Sequence, residues 1–146
     1  MKLAVINGPN LNLLGKRDKN HYGGLTLEEI KGMLCSEFTG IDFDFFQSNT
    51  EGSIINKLQT LQGFDGLIIN PGGYAHTSVA IRDALAELDI PKIEVHLSNL
   101  AAREEFRQFL LTASVCDGYI SGFKENSYSA AVYLLKSKIE NKGGES

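Results

Sequence analysis

The sequence predicts an α/β fold, a doubly wound five-stranded parallel sheet with helices on both faces. Three observations carry this prediction. Short apolar runs alternate with segments of helical periodicity along the chain. Most of the apolar runs are continuous, as in strands buried on both faces of a sheet. Several stop at Gly, Pro or Asn, residues that turn the chain at a strand end.

The elements follow in order. The first strand, residues 2–7 (KLAVIN), ends in Asn7-Gly8-Pro9. Residues 26–38 (TLEEIKGMLCSEF) form a helix, with apolar positions at Leu27, Ile30, Met33, Leu34 and Phe38 and with Thr26 and Glu29 at capping-box spacing. Residues 41–48 (IDFDFFQS) alternate as a half-buried strand does, and Ser48 and Glu51 repeat the capping-box spacing ahead of a helix over 53–61. The third strand, 65–70 (DGLIIN), stops at Pro71-Gly72-Gly73. A helix over 77–88, a strand over 91–96 (PKIEVH), a helix over 101–111 (AAREEFRQFLL), a strand over 115–122 (VCDGYISG) and a closing helix over 127–140 complete the pattern. The tail, 141–146, is expected to fray. About five such units suggest a flavodoxin-like arrangement, in which ligands bind beyond the carboxyl ends of the strands, near the reversal of strand order.

Composition narrows the function. A chain of 146 residues, 42% hydrophobic and 22% charged, suits one domain with a substantial core, and no linker or repeat divides it. The net charge of −4 argues against nucleic acid as the main partner, but a local cluster of cations still accommodates a small anion. Cys35 and Cys116 are far apart, belong to no Cys-x-x-Cys pair, and read as small buried thiols. The opening MKLAVINGPN is too short for a signal-peptide core and no run approaches a membrane span, so a cytoplasmic protein is expected.

Chemistry gathers at the strand ends. Asn7, Gly8, Pro9 and Asn10 follow the first strand; Asn70 ends the third, ahead of Tyr74, His76, Thr77 and Ser78; Glu94, His96, Ser98 and Asn99 close the fourth, followed by Arg103 and Arg107 on one helix face. Amides, imidazoles and guanidiniums on one edge suit a polyhydroxylated carboxylic acid. Glu94 and His96, two apart on a strand, point to the same side, where a carboxylate can fix the imidazole tautomer and favour a proton donor. A solvated pair at a strand end has the same spacing, and His76 serves equally as a packed loop histidine or a ligand group. The histidines lack metal-ligand spacing, so no metal is expected. The polar stretch GKRDKNHYGGLT reads as an active-site lid over about residues 15–25. Within it Arg17 and Tyr22 suit demanding chemistry, since a tyrosine becomes a base once a cation stabilises its phenolate. Without such help, a loop tyrosine only binds or packs.

The motifs INGPNLNLLGKR, YGG, QSNTEG, NPGGYAHTSVAIRDAL and IEVHLSNLAAREEFR closely resemble type II 3-dehydroquinate dehydratase, in order and over nearly the whole chain. The resemblance implies a flavodoxin-like enzyme, without metal or organic cofactor, that converts 3-dehydroquinate to 3-dehydroshikimate and water in the shikimate pathway or in quinate breakdown. It implies Tyr22 as the base at C2 with Arg17 favouring its ionised form, Asn10 holding a water at the enolate, and His96 as the acid, oriented by Glu94. It further implies the Leu97 and Ser98 amides on the substrate carboxylate, Asn70, His76 and Arg107 on its hydroxyls, and Asp83 supplied by a neighbour in a trimer-based dodecamer. A non-catalytic flavodoxin-like binding or signalling module is the alternative, since this architecture hosts many functions. The sequence departs from the family pattern at Asp18-Lys19, at Gly73 and Ala75, in QFLLTAS after Arg107 and in GFKENSY; these departures are expected to affect the lid and subunit packing rather than the proton-transfer groups.

Overall fold

The computed structural model describes residues 1–144. Five parallel strands, β1 (Lys2–Asn7), β2 (Asp42–Gln47), β3 (Gly66–Asn70), β4 (Lys92–His96) and β5 (Gly118–Ser121), form one sheet in the order β2-β1-β3-β4-β5. The order reverses between β1 and β3, where Asn7 pairs with Asn70 in register. The helices are α1 (Lys19–Tyr22), α2 (Leu27–Glu37), α3 (Glu51–Leu58), α4 (Val79–Ala86) and α5 (Asn126–Gly144). None is long and apolar enough to cross a membrane.

Strand alternation divides the core in two. Leu3, Val5, Ile68, Ile93 and Val95 face α2 and α5, packing on Ile30, Leu34, Tyr128, Val132 and Leu135. Ala4, Ile6, Leu67 and Ile69 face α3 and α4, packing on Ile54, Leu58, Ile81 and Leu85. With both faces covered, the central strands need apolar side chains in both directions, which explains their continuous hydrophobic runs. The doubly wound expectation holds.

Local signals were followed unevenly. Thr26 and Glu29 form the full capping box at the start of α2. Ser48 and Glu51 do not: Ser48 Oγ takes the Thr50 amide at 3.0 Å, so Thr50 flanks a helix that starts at Glu51. The lid is not a bare loop, because Asp18 caps the single turn α1 by accepting from the Asn20 amide at 2.9 Å. Cys35 is exposed rather than buried, and Cys116 is only partly covered, although burial pushes its thiol up to about 12. α5 runs on through residues 141–144, where fraying was expected, and the rest of that tail lies outside the described residues.

The largest difference lies between β4 and β5. The helix expected over 101–111 is replaced by 3₁₀ turns at Leu100–Ala102 and Glu105–Gln108, with Arg103 extended between them and a third turn at Ala113–Val115. The end of this segment is bonded elsewhere, including the Leu111 amide, which a helix would use internally. The Phe109 carbonyl accepts from His76 Nδ1 at 2.7 Å, and the Leu111 amide donates to the Ala75 carbonyl at 2.9 Å. Nor does the rest of the chain cover the helical stripe, since Phe106 and Phe109 are 61% and 71% exposed.

Candidate active site

The carboxyl ends of β1, β3 and β4 open into one cavity at the reversal of strand order. Its floor is a buried polar chain. The Asn70 amide donates to the Tyr128 hydroxyl at 3.0 Å, and that hydroxyl donates to Asn7 Oδ1. Burial pushes the Tyr128 phenol above the ordinary tyrosine range, so it stays a neutral donor. Asn70 Oδ1 also accepts from the Gly72 amide at 3.2 Å. One amide proton and one lone pair of Asn70 are left for a ligand.

Close backbone packing fixes the rim beside β1. The Gly8 amide donates to the Asn70 carbonyl at 2.7 Å, and a Cβ at Gly8 would meet the Pro71 carbonyl oxygen at 2.5 Å. Only glycine fits there. Asn10 follows with φ of 70°, a left-handed conformation that asparagine tolerates, and its amide is held by Asn49 Oδ1 at 3.0 Å.

One wall is the end of β4. Glu94 is fully buried, and its Oε2 accepts from His96 Nε2 at 2.7 Å. A carboxylate only accepts, so Nε2 carries a proton and Nδ1 remains available for proton exchange. Beside it stands His76, with ring centroids 6.1 Å apart. The bond from His76 Nδ1 to the Phe109 carbonyl leaves Nε2 as an acceptor, and desolvation lowers the imidazole pKa despite that bond. His76 therefore presents a lone pair, suited to a hydroxyl.

The lid closes the opposite side. Tyr22 packs against the core below it, and the Arg17 guanidinium lies 3.7 Å from its ring centroid. The phenol oxygen itself is held by Arg103, whose Nη1 donates to it at 2.8 Å and to Ser98 Oγ at 3.2 Å. Arg103 Nε is buried without a partner. Two cations thus address one tyrosine, one across its face and one at its oxygen.

Of the residues singled out from sequence, Asn10, Arg17, Tyr22, Asn70, His76, His96, Leu97, Ser98 and Arg107 line the cavity, and Glu94 lies directly behind His96. Asp83 does not line it. It is exposed on α4 and paired with Arg82 at 3.0 Å. Among the described residues no group of three acidic, His or Cys side chains is placed to hold a metal ion.

A family model described as "Dehydroquinase class II" matches residues 1–136. The chain belongs to the class II dehydroquinase family. It is 51% identical over 142 residues to a 3-dehydroquinate dehydratase of Thermotoga maritima, covering 96% of this chain and 98% of that one. A type II dehydroquinase structure from Butyrivibrio crossotus superposes with a TM-score of 0.90 at 48% identity, covering 93% of this chain and 97% of the other. One from Propionibacterium acnes gives 0.85 at 34% identity, covering 92% and 96%.

Within this class II dehydroquinase fold, three contacts were not legible in the sequence. Arg103 stood out only as a strand-end cation and, in AAREEFR, had the spacing of a surface ion pair. Its place on Tyr22 depends on the chain turning out of a helix at residue 103. The other two lie in the departing segment after Arg107, expected to affect the lid and subunit packing rather than the proton-transfer groups. Its Phe109 carbonyl holds His76 and its Thr112 hydroxyl donates to Glu94 Oε1, so the segment reaches the proton-transfer groups. Nothing in LLTAS signals that role.

Proposed function

We propose that this chain is a type II 3-dehydroquinate dehydratase acting through an enolate, with residues 1–146 as one catalytic domain. The observation that carries the reading is the pairing within one cavity of a tyrosine bound at its oxygen by Arg103, 2.8 Å away, with a histidine backed by a buried carboxylate. The reaction needs those two groups. Elimination of water from a β-hydroxy ketone requires a base for the C2 proton, stabilisation of the enolate oxygen and an acid for the departing hydroxyl.

In this reading Tyr22 removes the C2 proton, its phenolate stabilised by Arg17 and Arg103. A water held at Asn10 stabilises the enolate. His96 then protonates the C1 hydroxyl as its C–O bond breaks, and water leaves. Glu94 fixes the orientation of the imidazole through its bond to Nε2. The Leu97 and Ser98 amides hold the substrate carboxylate, while Asn70, His76 and Arg107 address the hydroxyls. Neither metal nor organic cofactor takes part. The product feeds the shikimate route to aromatic amino acids or belongs to quinate breakdown, in the cytoplasm.

Asp83 completes a neighbour's site in a trimer-based dodecamer. Its position supports this, since the Asp83 carboxylate does not line its own cavity and stays exposed on α4, where a neighbouring chain can reach it. The experiment for the activity adds 3-dehydroquinate and follows the conjugated enone by absorbance, with chelator present. Absence of turnover by folded protein would favour a binding module instead, and loss of turnover on chelation would reject the cofactor-free mechanism.

A further inference from the structure

The Glu94 carboxylate is held at both ends. His96 Nε2 donates to Oε2 at 2.7 Å, and the Thr112 hydroxyl donates to Oε1. Glu94 and Thr112 are fully buried, and His96 is 5% exposed. A carboxylate turns easily about its terminal torsion, which has broad wells. A hydrogen bond on the second oxygen defines the carboxylate plane and therefore the direction of the first.

Thr112 is itself well anchored. The preceding Leu111 amide donates to the Ala75 carbonyl at 2.9 Å, and the Thr112 carbonyl accepts from the Val115 amide at 3.3 Å. Its branched Cβ restricts χ1, so the hydroxyl has little choice of direction. Burial also makes the bond consequential, because an ionised carboxylate out of water depends on its donors.

We propose that Thr112 is a positioning residue for the dehydration step, acting through Glu94 to hold His96 in the orientation that protonates the leaving hydroxyl. The proposal rests on the reading of His96 as the acid. It separates the two halves of the reaction, because the Thr112 hydroxyl bonds to Glu94 whereas the Tyr22 oxygen bonds to Arg103.

The experiment compares Thr112→Val, which keeps the shape and removes the donor, with Thr112→Ser, which keeps the donor. For Thr112→Val, kcat should fall roughly 10–100-fold, the factor associated with one hydrogen bond to a charged group. KM should stay within about twofold and exchange of the substrate C2 proton with solvent should persist. Thr112→Ser should recover kcat to within about threefold of the parent. Parental kcat in Thr112→Val, equal impairment in Thr112→Ser, or a parallel loss of exchange would overturn the proposal. His96→Ala is measured alongside. If it dehydrates normally, the acid assignment fails and this role fails with it; if it is inactive while Thr112→Val is unimpaired, only the role of Thr112 fails. Should Thr112→Val not fold, NMR of the unsubstituted protein decides. A threonine hydroxyl proton protected from exchange and assigned to Thr112 supports the proposal, and a rapidly exchanging one overturns it.

Discussion

Replacing Arg103 by Met removes the cation at the Tyr22 oxygen while keeping most of the side-chain volume. The guanidinium is 2.8 Å from that oxygen and only 10% exposed, so solvent screens it little. One hydrogen bond to a charged group contributes about 1.5–3 kcal/mol, or roughly 10–150-fold in rate. The full charge–charge attraction at 2.8 Å and an effective dielectric of about 20 is about 6 kcal/mol, or roughly 10⁴-fold, and bounds the effect from above. A loss of about 10²-fold in kcat/KM lies between these limits and within the usual contribution of a general base. Arg103→Lys restores charge but cannot bridge Tyr22 and Ser98 as a guanidinium does, so its recovery should be partial. Initial rates of enone formation supply the kinetics, and thermal melting supplies the control. The melting temperature should drop by less than about 10 °C, because only a few hydrogen bonds are lost in a domain of this size. A folded Arg103→Met protein within about threefold of the parental kcat/KM would refute the assignment of Arg103 to the phenolate.

Four further predictions address other parts of the site. Tyr22→Phe should lower turnover by about 10²–10⁴-fold with little change in melting, and a loss below about tenfold would assign the base elsewhere. His96→Ala should retain C2-proton exchange while losing dehydration, as NMR in deuterated solvent would read; concurrent loss of both would place His96 in the first step. Co-expressed Asp83→Ala and Tyr22→Phe chains should regain activity in mixed oligomers, and no recovery after demonstrated mixing would exclude action across an interface. Cys116 tests the effect of burial with pH. Its folded pKa is raised from 9.0 to about 12, so the folded state retains a proton that the unfolded state releases. That contribution to stability is intact below pH 9.0 and is lost as pH rises toward about 12. Melting curves over this range should therefore fall more steeply for the parent than for Cys116→Ala; identical slopes would exclude the effect.

The sequence by itself determined the layers of this protein, the succession of its five strands and of the helices α2, α3, α4 and α5, and most of its chemical inventory. Continuous apolar runs at Leu3–Ile6 and Leu67–Ile69 identify strands covered on both faces because no polar side chain can occupy either side. The Thr26–Glu29 box was equally legible, since both partners lie within one helical turn. The tendency of ligands to bind at strand ends then points to Asn10, Asn70 and His96 from the sequence alone. Tertiary structure decided what depended on distant partners. Residues 101–111 have the spacing of a helix, but the carbonyl of Phe109 and the amide of Leu111 bond to His76 and Ala75, more than thirty residues away. That diversion turns Arg103 toward Tyr22, 81 residues earlier in the chain, and brings Thr112 under Glu94. Periodicity reports which side of an element is apolar; it contains no information about which remote polar group will compete for a backbone hydrogen bond.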